Sequence, residues 1–428
     1  MRKALFFLRH YNDIDHIAPV IYKWSRARHD STVILLGPAQ TGDDYRIKFI
    51  SSLERVRVIP LAAMLSRSDL IRFRLISLIL YAHALHYFGN RIFRICQALW
   101  PFTGRRQLWE SAACIILDRA FGTENNGVVV SGRLGMAWAS PVEFIQEVLL
   151  QAHDRGYATV SLPHEGNPHI SELVREDELL IDAGPIPAGG KLFDYVVCPN
   201  ELSSQHLPPY LEDLPTRVLG SARYSDEWLD MIAGLLSPSP MIRNPGELCV
   251  ALFLRKREYS LFWDEVERVI LMLGHLDGVH LVIKTYPGEH RRQPFRSIMK
   301  RVRSRHVELA GNQVHSTSLL AWADVVIDVA TPVSFEAVKR DLPILAAEYL
   351  HAGYTALAHY VPETAMHYRD EIYHAIMLLR EDPKRRFYNE ENRQTFIRTM
   401  LDVPDKQVLE RYVALLEEAA TEENKSAG

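Results

Sequence analysis

Thr331, Ser334 and Glu336 are the residues whose types and spacing best fit ligand chemistry. They follow the run from Asp324 to Ala330 (DVVIDVA) and precede a second apolar stretch, Pro343 to Leu345. A buried strand, a hydroxyl-rich turn, a short helix and another strand make a βαβ unit. Its helix opens on Thr331 or Ser334 and aims unpaired backbone N–H groups at whatever sits above the sheet edge, where those groups and the helix dipole favour an anion. Glu336, two residues after Ser334, is within reach of a ribose or sugar hydroxyl. Together these are the parts of a nucleotide-phosphate site. A plain helix cap accounts for the same residues without a ligand: Thr331 at the cap, Pro332 at the first helical position and an acid in the first turn. The turn's place after a buried strand, at the edge where α/β proteins bind ligands, favours the site.

Four other groups sit where strands end. Arg255, Lys256 and Arg257 follow an apolar run and carry enough charge to offset a diphosphate; a solvated loop is the alternative. Lys284, Tyr286 and His290 flank a Pro-Gly turn after another run. His164 and Glu165 lie in the loop Pro163 to His169, again just after a strand. His10, Asn12 and Asp13 follow the first strand, and Arg223 lies in a Gly-Ser-Ala-Arg-Tyr segment that reads as an interdomain hinge. The acidic pairs Asp43-Asp44 and Asp226-Glu227 read as solvated, so no metal site is expected. The chain has no Walker motif, no GxGxxG and no nucleophile elbow.

The elements that must hold these residues alternate. Strands and helices succeed each other from Ala4–Leu8 to Tyr195–Cys198, and again from Leu248–Leu254 to Ile344–Ala346. Such alternation implies parallel sheets covered by helices. Proline and glycine gather between about 217 and 247. The expected domains are 1–220, a linker over 221–247, a second domain over 248–365, polar-faced helices over 366–420 and a disordered tail over 421–428. A chain of 428 residues has room for two cores.

The chain is 47% hydrophobic and 24% charged with net charge −4, which argues against a general nucleic-acid binder. Four scattered cysteines (Cys96, Cys114, Cys198, Cys249) form no zinc or disulfide pattern and fit a reducing cytoplasm. The opening apolar run is cut short by Arg9 and His10 and reads as a strand rather than a leader. One stretch is unbalanced: residues 67–106 hold seven arginines and a single acid, Asp69, interleaved with apolar residues. It is too interrupted to span a bilayer. It reads either as core-facing helices with solvated arginines or as a basic region lying on anionic lipid at the inner face of the plasma membrane.

Two consecutive doubly wound domains with a helical tail resemble the GT-B glycosyltransferases. Within that group the chain looks most like bacterial capsule and surface-polysaccharide transferases near the CDP-glycerol and CMP-sugar enzymes. The resemblance implies two Rossmann-like domains facing a cleft, an acceptor side in 1–220, a nucleotide-donor side in 248–365 and C-terminal helices crossing back. It implies that Thr331 and Ser334 bind donor phosphate and that Glu336 binds ribose or sugar hydroxyls. Related enzymes carry Lys-x-His-Pro where this chain has Lys284-Thr-Tyr286-Pro, so Tyr286 can donate a hydrogen bond but no charge. Arg255 would join the donor site. Glu165, or His164, stands where related transferases keep the general base for the acceptor hydroxyl. His10 and Arg223 fall on the acceptor or hinge side. The implied activity moves a sugar, or a polyol phosphate, from a CMP-, CDP- or UDP-linked donor to a glycan or lipid-linked glycan, as in capsule or lipopolysaccharide biosynthesis. No bound cofactor or metal is implied. UDP-sugar 2-epimerases share the fold but carry Ser-Gly-Gly before the equivalent Glu, where this chain has Pro332-Val333. A catalytically silent binding subunit is the remaining alternative.

Overall fold

The structure is a computed structural model. It describes residues 1–36, 44–84, 104–123, 126–132, 140–163, 170, 192–207, 211, 213–255, 261–286, 295–302 and 306–421, with side chains at 77–84, 140–142 and 295–296 left aside. The chain divides into two compact units: Met1–Glu165 with Ala183–Ser225 and Asp405–Gly428, and Gly166–Asp182 with Asp226–Pro404.

The first unit is built on a seven-stranded parallel sheet. Its elements run β1 (Lys3–Leu8), α1 (Tyr11–Arg26), β2 (Asp30–Leu35), α2 (Tyr45–Ser51), β3 (Val56–Pro60), α3 (Arg67–Ala84), α4 (Arg105–Phe121), β4 (Gly127–Gly132), α5 (Ser140–Asp154), β5 (Ala158–Leu162), β6 (Tyr195–Cys198), α6 (Glu201–Gln205) and β7 (Thr216–Val218). The strand order is β3-β2-β1-β4-β5-β6-β7. The chain winds outward one way from β1, then returns to β1's other side, so the order reverses between β1 and β4. Every residue of β4 and β5 is buried, the mark of parallel strands covered on both faces. Trp109, Phe121 and Phe144 fill the core against Leu5, Phe7 and Val129.

The second unit repeats the plan with five strands. It runs α7 (Asp226–Leu235), β8 (Leu248–Leu254), α8 (Trp263–Gly274), β9 (Val279–Lys284), α9 (Phe295–Val302), β10 (Val307–Ala310), α10 (Ser316–Trp322), β11 (Val325–Val329), α11 (Val333–Lys339), β12 (Ile344–Ala346), α12 (Ala356–Tyr360), α13 (Arg369–Glu381) and α14 (Glu390–Met400). The order β10-β9-β8-β11-β12 reverses between β8 and β11. All seven residues of β8 are buried, and its apolar side chains join Val269, Leu281, Ile327 and Ile376 in one core.

Part of the stretch read as linker is ordered structure: α7 occupies 226–235 and belongs to the second unit. The helices after residue 366 divide. α13 and α14 belong to the second unit, whereas α15 (Val408–Ala419) belongs to the first. There Lys23 pairs with Glu410 at 2.6 Å and the buried Tyr412 hydroxyl donates to the Gly220 carbonyl at 2.9 Å. Residues 422–428 of the expected tail lie outside the described residues.

Candidate functional site

In open parallel sheets, ligands bind beyond the carboxyl ends of the strands where the strand order reverses. In the second unit that point lies between β8 and β11. Val329 is paired with Leu254, so the next residues, Ala330 and Arg255, leave the sheet side by side. The turn that follows β11 is shaped by Asp328, a lone acid inside an apolar strand and 3% exposed. Its Oδ2 accepts the Thr331 N–H at 3.0 Å, and its Oδ1 accepts the Thr331 hydroxyl. Ala330 between them is forced to φ +52°. A non-glycine residue there is strained by about 1–2 kcal/mol, and such strain gathers at functional turns.

The hydroxyls expected to meet phosphate are committed inside this turn. Thr331 donates to Asp328, and Ser334, 1% exposed, donates its hydroxyl to the Thr331 carbonyl at 2.7 Å. Thr331 does not cap the helix: the cap position is Pro332, with no side-chain cap bond, and α11 is seven residues long. Pro332 has no N–H, and the N–H groups of Ser334 and Phe335 donate to the Thr331 and Pro332 carbonyls, both at 3.3 Å. Glu336 is also inside, 4% exposed. Its Oε2 accepts the Thr317 hydroxyl at 3.1 Å, and Arg340 lies 2.9 Å from its Oε1. Thr317 is set by its own cap, since His315 Nδ1 accepts the Thr317 N–H at 3.2 Å.

The cations are better placed for an anion. Arg255 stands half-buried one residue beyond β8. Lys284 ends β9, paired with Phe253 of β8 on one side and Ala310 of β10 on the other. Its ammonium donates to the Gly311 carbonyl at 2.8 Å, and burial pushes it down to about 8. Tyr286 follows two residues on, 45% exposed. Lys256, Arg257 and His290 lie outside the described residues.

A second polar group borders the same edge and escaped the sequence reading. After β12, Glu348 accepts the Thr355 hydroxyl at 2.6 Å and lies 3.6 Å from His351. Thr355 in turn caps α12 through the Ala358 N–H. Burial pushes the Asp328 carboxyl up to about 7, and negative Glu348 adds to this; the two Thr331 bonds and His351 pull the other way. The signal for Asp328 was in the sequence as the one acid within the apolar run VVIDV, three residues before a threonine.

In the first unit the reversal lies between β1 and β4. There Asp13, fully buried, accepts the Arg9 N–H at 2.8 Å and two guanidinium bonds at 2.9 and 3.2 Å. Gly132 ends β4 against this pair: a Cβ on it would lie 2.4 Å from Asp13 Oδ1. His10 is exposed, at the cap position of α1, and its side chain makes no cap bond. Arg223 is paired with Asp15 at 3.0 Å, and Asp15 also meets Arg46. Asp44, read as solvated, instead caps α2 and pairs with Arg46, because the fully buried guanidinium needs its charge. His164 and Glu165 lie outside the described residues. Among the described residues no group of three or more His, Cys, Asp or Glu is arranged to hold a metal ion. Two surface hollows, of about 290 and 460 Å³, lie away from both reversals, beside Asp30 and Arg55 and beside Glu201 and Arg217.

No protein-family model and no curated protein matches the chain. Solved structures do. UDP-GlcNAc 2-epimerase from Neisseria meningitidis, bound to UDP-GlcNAc, is 13% identical with 97% of this chain and 99% of that chain covered, at a TM-score of 0.54. MnaA from S. aureus in complex with UDP is 10% identical, with 96% and 95% covered and a TM-score of 0.53. The glycotransferase of kitacinnamycin is 12% identical, with 98% and 99% covered and a TM-score of 0.51. At these identities the likeness shows the fold: two parallel-sheet, Rossmann-like α/β domains of the GT-B kind.

Proposed function

We propose that the chain is a nucleotide-sugar enzyme and, more finely, a glycosyltransferase. One observation carries the reading. The register Val329 to Leu254 sets the strained 330–334 turn beside Arg255, with Lys284 one strand away, at the reversal where open α/β sheets take ligands. In this reading the two cations offset the leaving nucleotide's charge, without a bound metal or cofactor. Tyr286 contributes a neutral donor. Thr331, Ser334 and Glu336 hold the turn's shape and reach the donor only if their internal bonds open. Glu165, or His164, would take the proton of the acceptor hydroxyl. His10 and Arg223 would stand on the acceptor side. The transfer would pass a sugar or polyol phosphate to a glycan or lipid-linked glycan, in the manner of the capsule, lipopolysaccharide and CDP-glycerol or CMP-sugar transferases that the sequence resembles. The work would be done on the cytoplasmic side.

The fold likeness to UDP-GlcNAc 2-epimerases supports a second reading, and product analysis separates the two. Incubated with UDP-GlcNAc alone, an epimerase inverts the sugar at C2 and keeps the nucleotide attached. A transferase given an acceptor releases the nucleotide. The first experiment is a thermal-shift screen against UDP, CMP, CDP, GDP and their sugar conjugates, since a ligand that binds only the folded state stabilises it by mass action. A shift with one base, lost in Arg255→Ala and Lys284→Met, supports the site. No shift with any nucleotide moves the chain to the silent binding-subunit reading.

A further inference from the structure

The outer face of α3 is a surface that the nucleotide reading leaves unused. The helix has an inner apolar side: Phe73 packs edge-on to Trp109 and Phe144 at centroid distances of 5.0 and 6.1 Å, and Ile76 is 5% exposed. It also has an outer one. Ile71 and Leu75, one turn apart, are 60% and 55% exposed. Arg67, Arg72 and Arg74 are exposed around them. The helix's single acid is held at its start, where Asp69 accepts the Ser66 hydroxyl at 2.7 Å and lies 3.7 Å from Arg72. Two exposed apolar residues alone need no explanation. What sets this face apart is charge. The chain carries net −4, yet the first ten residues of α3, 67–76, hold three exposed arginines and one acid. An apolar pair ringed by arginines complements a surface that is anionic outside and apolar just beneath. A nucleic acid would match the charge and leave Ile71 and Leu75 without a role.

We propose that the outer face of α3 docks on an anionic lipid bilayer, lying flat, with Ile71 and Leu75 at the headgroup–acyl boundary and Arg67, Arg72 and Arg74 at the level of the lipid phosphates. No described helix is long and apolar enough to cross a membrane, and the docking is interfacial. The proposal is independent of the nucleotide site and fails or stands separately from it.

Flotation of the full chain with phosphatidylcholine vesicles, with and without phosphatidylglycerol, tests it. Binding to the anionic vesicles that falls with salt and is absent on pure phosphatidylcholine is expected. Each arginine near an anionic surface supports roughly fivefold in partitioning, so Arg67→Glu with Arg74→Glu lowers binding by at least roughly 25-fold. Ile71→Ser with Leu75→Ser lowers it by at least roughly tenfold on the same vesicles. All four positions are exposed, and an unchanged melting temperature verifies that the variants fold. Inorganic phosphate at matched ionic strength does not release the chain if lipid is the partner; release by phosphate shows a simple anion site and overturns the proposal. Equal binding to both vesicle types, no binding to either, or binding untouched by the serine pair also overturns it.

Discussion

Asp328→Asn should change how stability depends on pH while leaving the turn in place. The carboxyl is fully buried and its pKa rises from 3.8 to about 7 on folding, chiefly through burial. A raised acid binds its proton more tightly when folded. The stabilisation is therefore complete below pH about 4 and is lost as pH climbs through about 7. The rise corresponds to a ceiling of about 4 kcal/mol above pH 8, at about 1.4 kcal/mol per pH unit. An amide carries no such penalty, and it can still serve Thr331: its carbonyl accepts the Thr331 N–H and its NH₂ donates to the hydroxyl oxygen. Thermal unfolding of the native chain and of Asp328→Asn, run in parallel from pH 4 to pH 8, isolates this group, because other titrations cancel in the difference. About 2–4 °C per kcal/mol applies to a unit of this size. The variant should melt close to the native chain at pH 4 and up to about 10 °C higher at pH 8, in the transition of the second unit. A difference that is flat in pH would refute the reasoning, whatever its size, because the carboxyl would then titrate alike in the folded and unfolded chain.

Substitutions at three other positions probe the packing around the reversals and the C-terminal helix. Gly132→Ala puts a Cβ 2.4 Å from Asp13 Oδ1 and must displace a buried ion pair, so urea unfolding of the first unit should show a loss of about 3 kcal/mol. Ala330→Gly relieves the φ of +52° but loosens the unfolded chain; it should be neutral or stabilising by up to about 1 kcal/mol, whereas Ala330→Val should destabilise by about 2 kcal/mol in the same assay. Tyr412→Phe leaves the Gly220 carbonyl without its 2.9 Å donor and should lower stability by about 1–2 kcal/mol, seen as an earlier melt of the first unit with the second unmoved.

The fold was legible because its signals are local and strong. Runs such as LCVALFL at 248–254 have no use outside a strand covered on both faces, and all seven residues are buried. The turn after Val329 was legible as a place. Its bonding was not, because Asp328 sits inside an apolar run and reads as part of the strand. Only the register shows that it ends beside Arg255 and folds back on Thr331. The same holds for Glu336, whose partners Thr317 and Arg340 lie nineteen residues before it and one helical turn after it. Arg340, four residues on at the end of α11, is a helical neighbour. Nothing in the spacing gave Thr317, since the meeting of α10 and α11 is a product of the sheet order.

The two reversals show one device used twice with different chemistry. In each unit, a buried carboxylate braces the turn at a strand's carboxyl end, Asp13 from the first turn of α1 and Asp328 from within β11. Asp13 takes the Arg9 N–H and guanidinium, reaching back four residues. Asp328 takes the Thr331 N–H and hydroxyl, reaching forward three. Both fix the exit of the chain from the sheet, which is what a site built on backbone and short side chains needs. They differ in the charge they leave. Arg9 brings a full positive charge to Asp13, so that crevice closes on a neutral pair. Thr331 brings only neutral donors, so the Asp328 turn is free of net charge only while the carboxyl keeps its proton, and Arg255 and Lys284 stand nearby, beyond β8 and at the end of β9. The carboxyl end of the second sheet thus sets two cationic side chains beside a neutral turn, while that of the first holds a buried Arg9–Asp13 pair. That difference in charge is the electrostatic ground on which the phosphate-bearing ligand is proposed for the second unit.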